Sequence, residues 1–152
     1  MASEIATELA EQADRALTDA ADVAVLRALE AGDWPASTWD GMSALGLNGA
    51  LVPEDAGGVG LGLADVAPLL EVLGRHAAPV PLAESIFGSA LLAAAGITPP
   101  EGALSFGARN GAIPWGRHAD MSHCWMARAL RFTRRQHSPG KKAAISAMRR
   151  EI

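Results

Sequence analysis

Apolar residues recur at helical spacing through the first hundred positions of this chain, and Gly and Pro divide them into segments. Ile5, Leu9, Ala13, Ala16 and Ala20 fall on one helical face, with Glu4, Glu8, Glu11 and Arg15 largely opposite. Val23, Leu26 and Leu29 continue an apolar face that Gly32 ends. No strong breaker lies between Arg15 and Ala20, so one bent helix and two separate helices both fit. Trp34-Pro35 resets the chain. Ser37, with Asp40 three residues on, predicts a short helix start; Trp39, Met42 and Leu45 form its buried edge and Gly46 follows its end. Residues 47–62, LNGALVPEDAGGVGLG, read as a loop. The next helix stacks Val66, Leu70, Leu73 and Ala77. Pro68 is tolerated only near a helix start, which places the N-cap at Asp65. Pro79 and Pro81 precede a helix over Leu82–Ala95 that is apolar almost all round and belongs inside a bundle. Gly96 and Pro99-Pro100 close it, and 103–107 and 111–116 read as short extended segments. The pattern predicts an all-α class: a small helical bundle with a short β stub after it.

Composition supports a folded body. Of the 152 residues 49% are apolar and 20% charged, too hydrophobic a mixture for a disordered chain. One cysteine, Cys124, leaves no intrachain disulfide framework. The N-terminus is acidic and amphipathic, unlike a signal peptide. The longest uncharged stretch lies between Glu84 and Glu101 and contains Gly88, Ser89, Gly96 and two prolines, short of the roughly 20 apolar residues of a membrane span. A soluble, cytoplasmic protein with no membrane partner is the expectation.

Charge then divides the chain. Residues 1–120 carry five basic groups against sixteen acids, a net of −11, whereas 121–152 carry eight basic groups against Glu151, a net of +7. Ser122–Gln136 can be drawn as a basic amphipathic helix, with Trp125, Met126, Ala129, Leu130 and Phe132 on one arc and Arg128, Arg131, Arg134 and Arg135 on the other. Such a tail suits a membrane surface, a nucleic acid, an acidic partner or the chain's own acidic body.

The chemical motifs are sparse. Gly57-Gly58-Val59-Gly60-Leu61-Gly62 invites a nucleotide reading, but a dinucleotide fingerprint needs GxGxxG between a strand and a helix. Leu63 stands where the third glycine would fall, and Pro-Glu-Asp-Ala precedes the cluster. The spacing reads as a tight turn between helices. Neither Ser43 nor Ser89 lies in GxSxG, and the Ser138-x-x-Lys141 pair is split by Pro139-Gly140. His118, Asp120, His123 and Cys124 are possible metal ligands at a spacing that matches no usual zinc pattern. Asp40, Glu54 and Asp55 lack an identifiable partner acid or base. The residues therefore assign no catalytic, no cofactor-binding and no metal position.

The ordered series says more than any single residue. Trp39, Leu45-Gly46, Val52-Pro53-Glu54, Gly57-Gly58-Val59-Gly60, Glu71-Val72-Leu73-Gly74-Arg75 and Ala78-Pro79-Val80-Pro81 follow one another over residues 39–82. This series resembles the N-terminal helical domain of acyl-CoA dehydrogenases, and with flanking helices the resemblance covers residues 1–100. AIPWGRHAD, residues 112–120, resembles the start of the family's middle β-domain, so 101–120 is a β stub and 121–152 a basic tail. Arg75 suits a helix C-terminus and is spaced to pair with Glu71.

The resemblance implies an FAD-dependent flavoprotein, an oxidoreductase that dehydrogenates acyl-CoA thioesters between the α and β carbons. In that family a carboxylate from the C-terminal helical domain takes the α-proton, and most flavin contacts come from the middle and C-terminal domains. No segment here resembles the middle domain's Thr-Glu…Gly-Ser-Asp motif. The expectation is thus a truncated member that neither holds FAD stably nor turns over alone, and Glu54, Glu71 and Glu84 are not promoted to base. The charge reversal at the point where the resemblance ends favours interrupted coding. Two rivals are a short subunit of a heteromeric dehydrogenase and a non-enzymatic binding module using the tail. Acyl-CoA is the implied substrate, a homo-oligomer or partner subunit the implied assembly, and nucleic acid a minor option. Acyl-chain length is not encoded in these motifs.

Overall fold

The computed structural model describes residues 3–20, 22–108, 115, 118, 121–126 and 129–134, with side chains through Phe106 and at Trp115 and His118. Its helices are α1 (Glu4–Ala20), α2 (Val23–Ala31), α3 (Ala36–Ala44), α4 (Leu63–Arg75) and α5 (Leu82–Ala94). Three strands follow: β1 (Leu104–Ala108), β2 (Met121–Met126) and β3 (Ala129–Arg134). The helical reading of the first hundred residues holds, and α1 and α2 are separate helices. Asp22 makes the break: its carboxylate accepts the Ala24 amide at 3.2 Å and caps α2.

α1 is turned on its axis relative to the expected face. Ala6, Ala10, Ala13 and Leu17 are buried, Leu9 and Ala16 flank them, and Ile5 is 55% exposed. Small residues along this stripe let α1 lie close on α4, which a row of larger side chains would hold off. The apolar face expected for α2 is not buried either, and Val23 is 59% exposed. The core is aliphatic: Leu17, Met42, Leu47, Leu69, Leu82 and Ile86 are almost wholly enclosed. Each such side chain contributes about 1.5–3 kcal/mol on burial.

Two helix starts differ from the sequence expectation. α3 begins at Ala36 behind Pro35, so Ser37 lies inside it and makes no cap. α4 begins at Leu63, three residues earlier than expected, and Asp65 is its third residue instead of its N-cap. There Asp65 reaches back to accept the Gly62 amide at 3.3 Å and the Ser3 amide at 2.9 Å, tying the start of the chain to α4. Pro68 consequently sits in the second turn, where its missing N–H leaves the carbonyl of exposed Ala64 without its helical donor. The ends of α3 and α5 follow the sequence: Gly46 and Gly96 take left-handed conformations at φ 71° and 69°.

α5 packs on β1 and on the 3-10 turn Leu47–Gly49. Gly88 permits this approach, since a Cβ there would lie 3.0 Å from the Leu104 side chain. β1 runs parallel to β2, from Leu104↔Met121 to Ala108↔Trp125, and β2 runs antiparallel to β3, from Met121↔Arg134 to Met126↔Ala129. The helix drawn over Ser122–Gln136 is thereby corrected: its described part forms two strands. Apart from the Leu104 amide, which the Ser85 hydroxyl of α5 takes up, β1 offers β2 a row of backbone donors and acceptors that an extended segment can pair. Trp125, Phe132 and Thr133 favour strands, and Leu130-Arg131-Phe132-Thr133 alternates apolar with polar. The expected extended segment at 103–107 corresponds to β1, whereas 111–116 lies outside the described residues except for Trp115, which occupies a turn. Residues 135–152 also lie outside them.

Candidate functional site

The glycine cluster was the strongest lure towards nucleotide chemistry, and its backbone shows what it does. Gly57 and Gly60 adopt φ of 85° and 73°, which reverses the chain after the 3-10 turn Glu54–Ala56. Gly58 is there for space: a Cβ on it would lie 2.1 Å from the Val52 carbonyl oxygen. The amides are already used. Gly57 donates to Glu54 O, Gly58 to Pro53 O, Val59 to Gly49 O, Gly60 to Val52 O and Leu61 to Ala50 O, all at 2.8–3.1 Å. A phosphate cradle needs free, convergent N–H groups, and this loop has spent them on itself. It is a clasp between 49–53 and 57–61, and it does not fit a flavin pyrophosphate.

A groove of about 380 Å³ lies elsewhere, between the last turns of α4 and the first turn of α5. Leu70, Leu73, Val80 and Ala83 give it an apolar floor, Glu84 stands on its edge, and Trp115 closes one side. Buried Pro79, Val80 and Pro81 fix the turn that joins the two helices. Trp115 is held from behind by Trp34, whose ring meets it edge-on at 6.3 Å. Trp34 also stacks on His118 at 5.5 Å and leans on Trp39 at 6.0 Å. The His118 amide donates to Trp115 O at 2.8 Å, closing a turn in which Trp115 takes φ of 59°. A bulky side chain in that conformation costs about 1–3 kcal/mol and persists only where its surroundings hold it. The aromatic cluster is that surrounding, and it seats Trp115 against the helical body.

Three groups meet where α1 passes the end of α4. Asp14 Oδ1 is 2.8 Å from His76 Nε2 and 3.0 Å from Arg75 Nη1. The hydrogen bond with His76 holds the Asp14 carboxyl below its ordinary value, partial burial opposes this, and the Arg75 charge reinforces it. Arg75 thus pairs with Asp14 and not with Glu71. The cluster joins two helices in an open position.

Of the possible metal ligands, His118 is taken up by Trp34, while Asp120 and the side chains of His123 and Cys124 lie outside the described residues. Among the described residues no three of His, Cys, Asp or Glu gather as a metal-binding group, and no helix is long and apolar enough to cross a membrane. Ser138 and Lys141 lie outside them too.

The family model for the acyl-CoA dehydrogenase N-terminal domain matches residues 3–97. The chain belongs to the acyl-CoA dehydrogenase family. The match runs from just before α1 to just after α5, so it takes in the helical body, the glycine clasp and the helical walls of the groove. No curated protein and no solved structure matches the chain. Within this family frame Asp14, His76 and Trp34, which make the contacts described above, carry no motif of their own. Only the unusual density of Trp around a Pro, at Trp34-Pro35 and Pro114-Trp115, signalled two segments suited to meet.

Proposed function

We propose that this chain is the helical N-terminal part of an FAD-dependent acyl-CoA dehydrogenase, and that it supplies a wall of the acyl site without supplying the reacting groups. The groove between α4 and α5 carries the proposal: its floor is aliphatic, and its one side closed by Trp115 excludes water along a chain laid in it. Each methylene so covered contributes about 0.8 kcal/mol to holding an acyl tail. In the family the flavin accepts hydride from the β-carbon while a carboxylate takes the α-proton. We assign neither task to a residue here. Glu84 stands on the groove's edge, but among the described residues no hydrogen bond or ion pair orients its carboxylate as a base. The glycine clasp, with its amides committed, supports the reading that flavin contacts belong to other parts of the family's architecture.

It follows that the chain alone holds FAD only weakly and does not turn over. Residues 121–152 stand in place of the family's middle-domain sequence; the charge reversal and the end of the motif series at the same point favour interrupted coding over a purpose-built tail. The test is reduction of an artificial electron acceptor by the purified chain with added FAD and acyl-CoAs of short, medium and long chain. No acceptor reduction is expected with any of them, and sustained turnover with any one overturns the proposal.

A further inference from the structure

A second cleft, of about 310 Å³, opens between the glycine clasp and the connection from α5 to β1. Four polar side chains converge on it: Asn48, Ser89, Thr98 and Glu101. None of the four makes a hydrogen bond or ion pair within the described chain. Ser89 is the telling member. It is only 3% exposed, it sits on α5 one turn beyond Ser85, and unlike Ser85 its hydroxyl bonds no carbonyl. A buried hydroxyl left without a partner costs about 1–3 kcal/mol, so a group that fills the cleft and bonds it is favoured. Ser89 stands roughly 120° around α5 from Ala83, so this cleft is separate from the acyl groove.

The lining decides what such a group would be. The amides of the clasp are committed and, among the described residues, no Lys, Arg or His lines the cleft, so an anion would find only the neutral donors of Asn48, Ser89 and Thr98 and no cation to balance its charge. Every one of the four polar side chains accepts a hydrogen bond, and the only formal charge among them is the Glu101 carboxylate. Val52, Val59, Pro99 and Pro100 also line the cleft, which suits a short aliphatic body. We infer that the cleft framed by Asn48, Ser89, Pro99 and Glu101 is a binding site for an alkylammonium group, with the ammonium on Ser89 and Glu101 and the carbon chain between the valines and prolines. The site is independent of the dehydrogenase reading and stands or falls without it.

The experiment is a titration of the ¹⁵N-labelled full chain with hexylammonium chloride, followed by NMR. Saturating shifts are expected at the Asn48 carboxamide and at the Gly57, Gly58 and Val59 amides, with a Kd on the order of 1 mM. Ser89→Ala, which removes only a hydroxyl, raises Kd roughly fivefold, and Glu101→Gln, an exposed change, raises it roughly threefold at low salt. Nα-acetyl-lysine methylamide in a parallel titration distinguishes a peptide lysine from a free amine: the tighter binder of the two names the source. Hexanoate shifting the same resonances equally, an unchanged Kd in both variants, or no saturable shift at Asn48 overturns the assignment.

Discussion

The Ser85 hydroxyl on α5 accepts the Leu104 amide of β1 at 2.9 Å while donating to the Pro81 carbonyl at 2.8 Å. One fully buried side chain thus occupies the strand's backbone where a neighbouring strand would otherwise pair, and locks the helical body to the sheet. Ser85→Ala leaves the Leu104 N–H buried and unpaired. The expected loss is about 1–3 kcal/mol of unfolding free energy in urea titration. A loss below the error of the measurement would remove this bond from the account.

Gly58 and Gly74 make opposite tests of the glycines. Alanine at Gly58 places a Cβ against the Val52 backbone, which cannot move aside like a flexible side chain, and costs about 1–3 kcal/mol or more. Gly74, inside α4, has nothing within 4 Å of its added Cβ, so Gly74→Ala gains about 0.5–1 kcal/mol. Thermal unfolding of the two variants reads the sign directly.

The Asp14 cluster gives stability an acid limb. Because the folded carboxyl titrates below the ordinary value of 3.8, its contribution is complete above that value and is lost as pH falls through the lower folded one. Asp14→Asn is therefore less stable than the parent chain at neutral pH, and the two converge in acid. A stability difference that stays constant down to acid pH contradicts the linkage.

The turned face of α1 makes a further prediction. Ala13→Leu pushes α1 off α4 and costs about 1–3 kcal/mol, while Ile5→Ser changes stability by less than about 0.5 kcal/mol. If Ile5→Ser is the costlier change, the sequence-based face is the right one. That face failed for a physical reason. Periodicity gives the spacing of a stripe, but in a helix rich in Ala the choice between adjacent stripes depends on how near the partner helix must come. Leu17 and α4 decide it, and the partner is remote in sequence. The clear elements were those with local causes: the Gly46 and Gly96 ends, the Pro-framed turn at 79–81 and the clasp at 57–60. Pro68 misled because a proline in the second turn is tolerated when the carbonyl it abandons is exposed. The strands after residue 120 were hidden because a basic amphipathic arc and an alternating strand share the residues Leu130, Phe132 and Arg134, and only the open edge of β1 selects between them. Of the groove, the apolar floor could be read as core spacing, but its closure by Trp115 depends on Trp34, eighty residues away.

The visible absorption spectrum of the purified full chain, taken after incubation with excess FAD and removal of the unbound cofactor, tests the central claim. A helical part that contributes only a wall to the acyl site retains no flavin, so the protein fraction shows no flavin band. A stoichiometric band that stays with the chain, and bleaches when acyl-CoA is added without oxygen, contradicts it.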